Sequence, residues 1–111
     1  MPAAAPSDDV FRAISDPTRR AVLELLRDSA RSASELAEPF EMSQPAMSQH
    51  LRVLRDAGLV RVAVVGRQRY YALDPRPLRQ IERWIKRYRV FWERKLDHLG
   101  EYLDKTELKS D

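Results

Sequence analysis

Gln44, Ser48, Gln49 and Arg52 are residues whose types and spacing could do chemistry on a partner. Glutamine and arginine pair in a bidentate manner with adenine and guanine edges in the major groove of DNA, and a serine hydroxyl can serve either base. At helical spacing the four share a face with Pro45, and Met47, Leu51 and Leu54 at i, i+4 and i+7 form the apolar stripe on the other side. Ser43 precedes them as a candidate N-cap, and a helix N-terminus beside a groove offers N–H groups to a phosphate. His50 falls between the two faces, where it could meet a phosphate, pack against a neighbouring helix or stand as a half-buried structural residue. Arg67 and Arg69 flank a tight turn from which guanidinium groups can reach phosphates or a narrow minor groove. An ordinary solvated face and a hairpin tip charged for solubility have the same composition, so the surrounding elements must decide.

Those elements are legible from caps and periodicity. Asp8 to Ser15 reads as a short helix with Val10, Phe11 and Ile14 apolar. Asp16-Pro17 is a strong helix start, opening a helix to about Asp28 with Ala21, Val22, Leu25 and Leu26 on one face. Ser32 to Glu35 has the form of a capping box and opens a helix carrying Leu36, Ala37 and Phe40. Glu41-Met42-Ser43 separates it from a helix over 44–57 that Gly58 ends. Two helices joined by three residues have helix-turn-helix spacing. Beyond Gly58 the period changes to about two: Leu59 to Val65 is one strand, Gly66-Arg67-Gln68 a turn and Arg69 to Leu73 a second strand. A basic hairpin directly after a helix-turn-helix reads as a wing. Asp74-Pro75 then repeats the start signal for a last helix over about 75–104, about 45 Å long at ~1.5 Å per residue.

Composition agrees with a folded domain and removes several classes of function. The 111 residues are 43% hydrophobic and 33% charged, with no cysteine, so disulfides, thiolate metal ligands and thiol redox chemistry are excluded. No long uncharged apolar run marks a membrane span, and the cytoplasm is the expected location. Two histidines, three isolated glycines and no phosphate loop leave no nucleophile–base set, so no enzyme and no cofactor are expected. The net charge of +3 is unevenly spread. Residues 42–73 hold five Arg against Asp56, which places the basic excess on the DNA-reading elements and favours a polyanionic partner.

The stretches FRAISDPTRR (11–20), SELA (34–37), SQPAMSQHLRVLRDAGLV (43–60) and GRQRYY (66–71) resemble, in this order, the ArsR-type family of bacterial winged-helix repressors. The resemblance spans about residues 8–103. It implies a homodimer that binds a promoter operator in duplex DNA and represses, with a recognition face at Ser43, Gln44, Ser48, Gln49 and Arg52 and a wing at Arg67 and Arg69. His50 matches the histidine of the family's Ser-x-His-Leu stretch. Many members sense metals through a Cys-x-Cys pair on the first helix of the helix-turn-helix; here that stretch is ELAEPFE (35–41), without cysteine. Others use carboxylates and two histidines on the last helix. Here His98 and Glu101 share a face with Asp97 beside them, too few ligands for zinc unless a dimer doubles them. The stretch YRVFWERKLD (88–97) is similar to a cysteine-free branch.

On the last helix Ile81, Trp84, Ile85, Tyr88, Phe91, Trp92, Leu96, Leu99, Tyr102 and Leu103 recur at three- and four-residue steps. That stripe is long and aromatic for a core of this size, and a two-fold mate would bury it; the other solution is a helix folded back on its own domain. Phe11 on the first helix is expected alongside the interface.

The expected fold is mainly α (α+β): a winged helix-turn-helix of five helices with a two-stranded hairpin wing, dimerising through its terminal helices. Residues 1–7 are read as a disordered leader, 8–104 as the DNA-binding domain and 105–111 as a flexible tail. The expected function is that of a homodimeric repressor reading an inverted repeat, with no metal and an unknown effector. The competing readings are a winged-helix module for protein–protein contact and a metal-responsive repressor using His98 and Glu101.

Overall fold

Local signals set the first corner of the chain. The computed structural model describes residues 8–110, with side chains through Lys105; the expected leader and Asp111 lie outside the described residues. Helix α1 (Asp8–Ser15) gives way at once to α2 (Pro17–Leu25), because the Asp16 carboxylate accepts from the Arg19 N–H and Pro17 fits the first turn. The terminal carbonyls of α1 are taken up by side chains of α2. Arg19 binds those of Arg12 and Ala13, each at 2.8 Å, and Arg20 binds that of Ile14 at 2.7 Å. The FRAISDPTRR stretch is therefore the wiring of a corner. Helix α2 ends at Leu25, before the expected Asp28, and the Arg31 side chain caps the Leu25 carbonyl at 3.1 Å.

A short strand, β1 (Arg31–Ser32), leads into α3 (Ala33–Ala37) and one 3-10 turn (Glu38–Phe40). The capping box is complete, with the Ser32 hydroxyl and the Glu35 carboxylate each accepting the other's backbone N–H. Glu41 then adopts a left-handed φ of 53°, and the chain re-enters helix as α4 (Gln44–Asp56), capped by Ser43 through the Ala46 N–H at 3.2 Å.

The wing comprises β2 (Val60–Val65) and β3 (Gln68–Leu73), paired antiparallel from Val60↔Leu73 to Val65↔Gln68. Gln68 pairs with Val65, so the turn is the two residues Gly66-Arg67, one shorter than expected, and Gly66 supplies its positive φ of 62°. The sheet has a third strand that the sequence reading did not include: β1 pairs with β3, Arg31 opposite Tyr71 and Ser32 opposite Tyr70. The last helix, α5 (Leu78–Ser110), begins later than the expected residue 75. The chain enters it through i→i+3 bonds, Leu78 N–H to the Pro75 carbonyl at 3.0 Å and Arg79 N–H to that of Arg76 at 3.1 Å, and the Asp74 carboxylate accepts the Arg76 N–H at 3.1 Å. At its other end α5 continues to Ser110, where the sequence reading placed a tail from 105.

The chain divides after Ile81 into two compact units. In the first, the core joins Val10 and Ala13 of α1, Val22 of α2, Leu36 of α3 and Met47, Leu51 and Leu54 of α4 to Leu59, Val60 and Tyr71 at the sheet. Leu78 and Ile81 pack against this core. The second unit is the remainder of α5.

Candidate nucleic-acid interface

The buried stripe of α4 fixes what its other side presents. Met47, Leu51 and Leu54 are 0% exposed, so Gln44, Pro45, Ser48, Gln49 and Arg52 are turned to solvent. Gln44, Ser48 and Arg52 line a groove of about 710 Å³ whose opposite wall is the wing, with Arg67, Gln68 and Arg69. Pro45 and Gln49 are exposed but do not line the groove. Ser43 spends its hydroxyl lone pair on the Ala46 N–H, which leaves the hydroxyl hydrogen able to donate outward.

Arg55 also lines this groove and was missed in the sequence reading. Its signal was present, since positions 44, 48, 52 and 55 follow one another at steps of four, four and three along one helical face. Asp56 is the acidic residue on the groove wall.

Arg12 and Arg79 aside, the arginines of the first unit sort into those with side-chain partners and those without. Arg19, Arg20 and Arg31 are bound to backbone carbonyls, and Arg61 and Arg76 are bound to Asp74. Arg52, Arg55, Arg67 and Arg69 make no hydrogen bond or ion pair among the described residues, and all four surround one groove. Four uncompensated guanidinium groups facing a concave surface make a positive potential there that a polyanion would neutralise.

His50 points elsewhere. Its Nδ1 lies 3.3 Å from Arg19 Nη1 and 4.0 Å from Asp16 Oδ2, and its side chain is 25% exposed. It joins α4 to the α1–α2 corner, which is the helix-packing role among those weighed from sequence.

On α5, the expected interface residues Trp84, Tyr88, Phe91, Trp92, Leu96, Leu99 and Leu103 are exposed, and Ile85 is half-buried. Trp84 and Tyr88 meet edge to face at 5.4 Å, and Lys95 Nζ lies 5.7 Å from the centre of the Phe91 ring. Phe11 and Ile81 are half-buried. Among the described residues no three His, Asp or Glu side chains gather as a metal site needs, His98 and Glu101 included. Nor is any described helix long and apolar enough to cross a membrane.

A family model described as a helix-turn-helix domain matches residues 14–63. The transcriptional repressor SdpR of Bacillus subtilis is 38% identical over 78 residues, which are 70% of this chain and 87% of that protein. The HTH-type transcriptional regulator Rv2034 of Mycobacterium tuberculosis is 38% identical over 97 residues, 87% of this chain and 88% of that protein. Among solved structures, an ArsR-like transcriptional regulator from Rhodococcus sp. RHA1 superposes with a TM-score of 0.70 at 33% identity, covering 88% of this chain and 90% of the other.

Proposed function

Because the chain belongs to the ArsR family of winged-helix transcriptional regulators, we propose that it binds an operator in duplex DNA as a homodimer and represses transcription there. Helix α4 enters the major groove, where Gln44, Ser48, Gln49 and Arg52 read base edges. The wing lies along the backbone or minor groove through Arg67 and Arg69, and Arg55 adds a phosphate contact. The protein acts in the cytoplasm, by binding and not by catalysis.

The observation that carries this reading is the clustering of unpaired arginines: Arg19, Arg20, Arg31, Arg61 and Arg76 are bound internally, while the four around the α4–wing groove are not. The exposed aromatic and leucine residues of α5 support pairing with a second copy. A two-fold pair would present two α4 helices to half-sites one helical turn apart, or a multiple of it.

Fluorescence anisotropy tests the proposal, with DNA from upstream of the protein's own gene against scrambled DNA of equal length, at two salt concentrations with chelator present. Tight, sequence-selective binding that weakens steeply with salt is expected, since phosphate neutralisation releases counterions. Weak, salt-insensitive binding to both DNAs would favour a protein partner for the same groove.

A further inference from the structure

One guanidinium ties three helices together behind the DNA-reading face. Arg19 donates from Nε to the Ala13 carbonyl and from Nη2 to the Arg12 carbonyl, each at 2.8 Å at the end of α1. Its backbone N–H donates to the Asp16 carboxylate at 3.0 Å. Its Nη1 reaches Nδ1 of His50, midway along α4, at 3.3 Å. His50 directly follows Gln49 and lies two residues before Arg52, so any shift of this tether displaces the side chains offered to a base pair.

The contact holds in one protonation state only. A guanidinium can donate but not accept, so Nδ1 must keep its lone pair, with the imidazole proton on Nε2. Protonation would point a second donor at Arg19. The anion then within reach is Asp16, whose Oδ2 lies 4.0 Å from the same nitrogen. Asp16 stays ionised, its carboxyl held below the usual carboxylate range chiefly by the Arg19 backbone N–H. Arg19 and Asp16, both at the start of α2, are the charged groups that meet His50. At this corner α1 contributes backbone carbonyls. Of the other elements packed on α4, α3 has Glu35 held by Ser32 and β2 has Arg61 held by Asp74.

We propose that Arg19 is a positioning residue for operator reading. Through neutral His50 it fixes the rotation and depth of α4 against the α1–α2 corner, and a protonated His50 would exchange Arg19 for Asp16 and reset α4 there. The inference rests on α4 being the DNA-reading helix. Arg19 acts through His50 and not by touching DNA.

The test measures operator and random-duplex affinity of the full chain from about pH 8 to about pH 5.5, the range in which histidine changes charge. It compares wild type, His50→Asn and Arg19→Lys, with imidazole ¹⁵N NMR of the DNA-free protein. In wild type, operator affinity should fall about five- to tenfold relative to random duplex on acidification, the size of one lost hydrogen bond. His50→Asn places an amide oxygen near the Nδ1 position, accepts from Arg19 and cannot titrate. It should match wild type at the upper pH and lose the acid-dependent fall. Arg19→Lys keeps the charge without the rigid fork and should lose about five- to tenfold in operator affinity at the upper pH, with Nδ1 shifted in the NMR spectrum.

A wild-type pH profile in His50→Asn, or an unshifted Nδ1 in Arg19→Lys, would overturn the proposal. If Arg19→Lys melts at a much lower temperature, His50→Asn still decides, because it leaves the corner in place. Wild-type protein that selects no operator at any pH would remove the DNA-reading premise instead, and the NMR arm alone would then decide whether Arg19 holds α4 through His50.

Discussion

The Nε of Arg61 donates to Oδ2 of Asp74 over 3.0 Å, joining the foot of β2 to the residue that follows β3. Arg76 grips the same carboxylate through its side chain at 2.7 Å and through its backbone N–H at 3.1 Å. The Asp74 N–H in turn donates to the Leu59 carbonyl at 2.8 Å, so one residue closes the base of the wing. Hydrogen bonds from Arg76, reinforced by Arg61, hold the Asp74 carboxyl far below the usual carboxylate range.

A depressed carboxyl stabilises the fold only while it is ionised. Its contribution is fully present above the unfolded-chain value of about 3.9 and is lost as pH falls below that toward the folded-state value. Asp16, lowered in the same direction, adds to this acid limb. Thermal melts should therefore show stability falling below about pH 4. Asp74→Asn should melt lower at neutral pH and show a shallower acid decline. An acid limb of unchanged slope in that variant would place the responsible proton uptake elsewhere.

Base-reading and phosphate-binding residues should separate by their effect on sequence preference. Arg52→Ala or Gln49→Ala should cost about 1–3 kcal/mol on the operator and little on random DNA. Arg67→Ala and Arg55→Ala should weaken both and each reduce the salt slope by about 1. Equal losses on both DNAs from Arg52→Ala would assign that side chain to the backbone.

The turn of the helix-turn-helix contains Glu41 in a left-handed conformation, φ 53°. Side chains with a Cβ are strained there by about 1–2 kcal/mol, whereas glycine is not. Glycine also loses more freedom on folding, so Glu41→Gly should raise the unfolding free energy by no more than about 1 kcal/mol. A β-branched residue such as valine should lower it. Chemical denaturation of the pair reads both signs.

Trp92 is 41% exposed on α5 and lies within the stripe that a second copy would cover. Trp92→Glu would put a charge in that interface, and sedimentation should show monomers with poor operator affinity. A Trp92→Glu variant that still sediments as a dimer would move the interface off this stripe.

Much of this could be read in the sequence because it is local. The Asp16-Pro17 start, the Ser32/Glu35 box and the Ser43 cap each act within three residues of their own position, and the Met47–Leu51–Leu54 stripe states which side of α4 is buried. What escaped depends on partners distant in the chain. Strand β1 is two residues long and exists only because Tyr70 and Tyr71 lie opposite it. Arg19 and Arg20 read as part of a motif, yet their role is to bind carbonyls of the preceding helix. Asp74 carries the helix-start signature of Asp16 and, like it, accepts a backbone N–H of the turn that follows, but it also binds the side chains of Arg61 and Arg76, which local sequence does not announce. The paired and unpaired arginines are identical letters, and only the fold separates them.

Ser32 ends β1 opposite Tyr70 and is also the N-cap of α3, with no residue between the two duties. The hairpin and the first helix of the helix-turn-helix therefore meet without slack at that point. On the proposed reading, the root of the wing keeps one distance from the helix-turn-helix, while Arg67 and Arg69 lie beyond the anchored pairs. An inserted base pair within a half-site should then cost more affinity than a changed base.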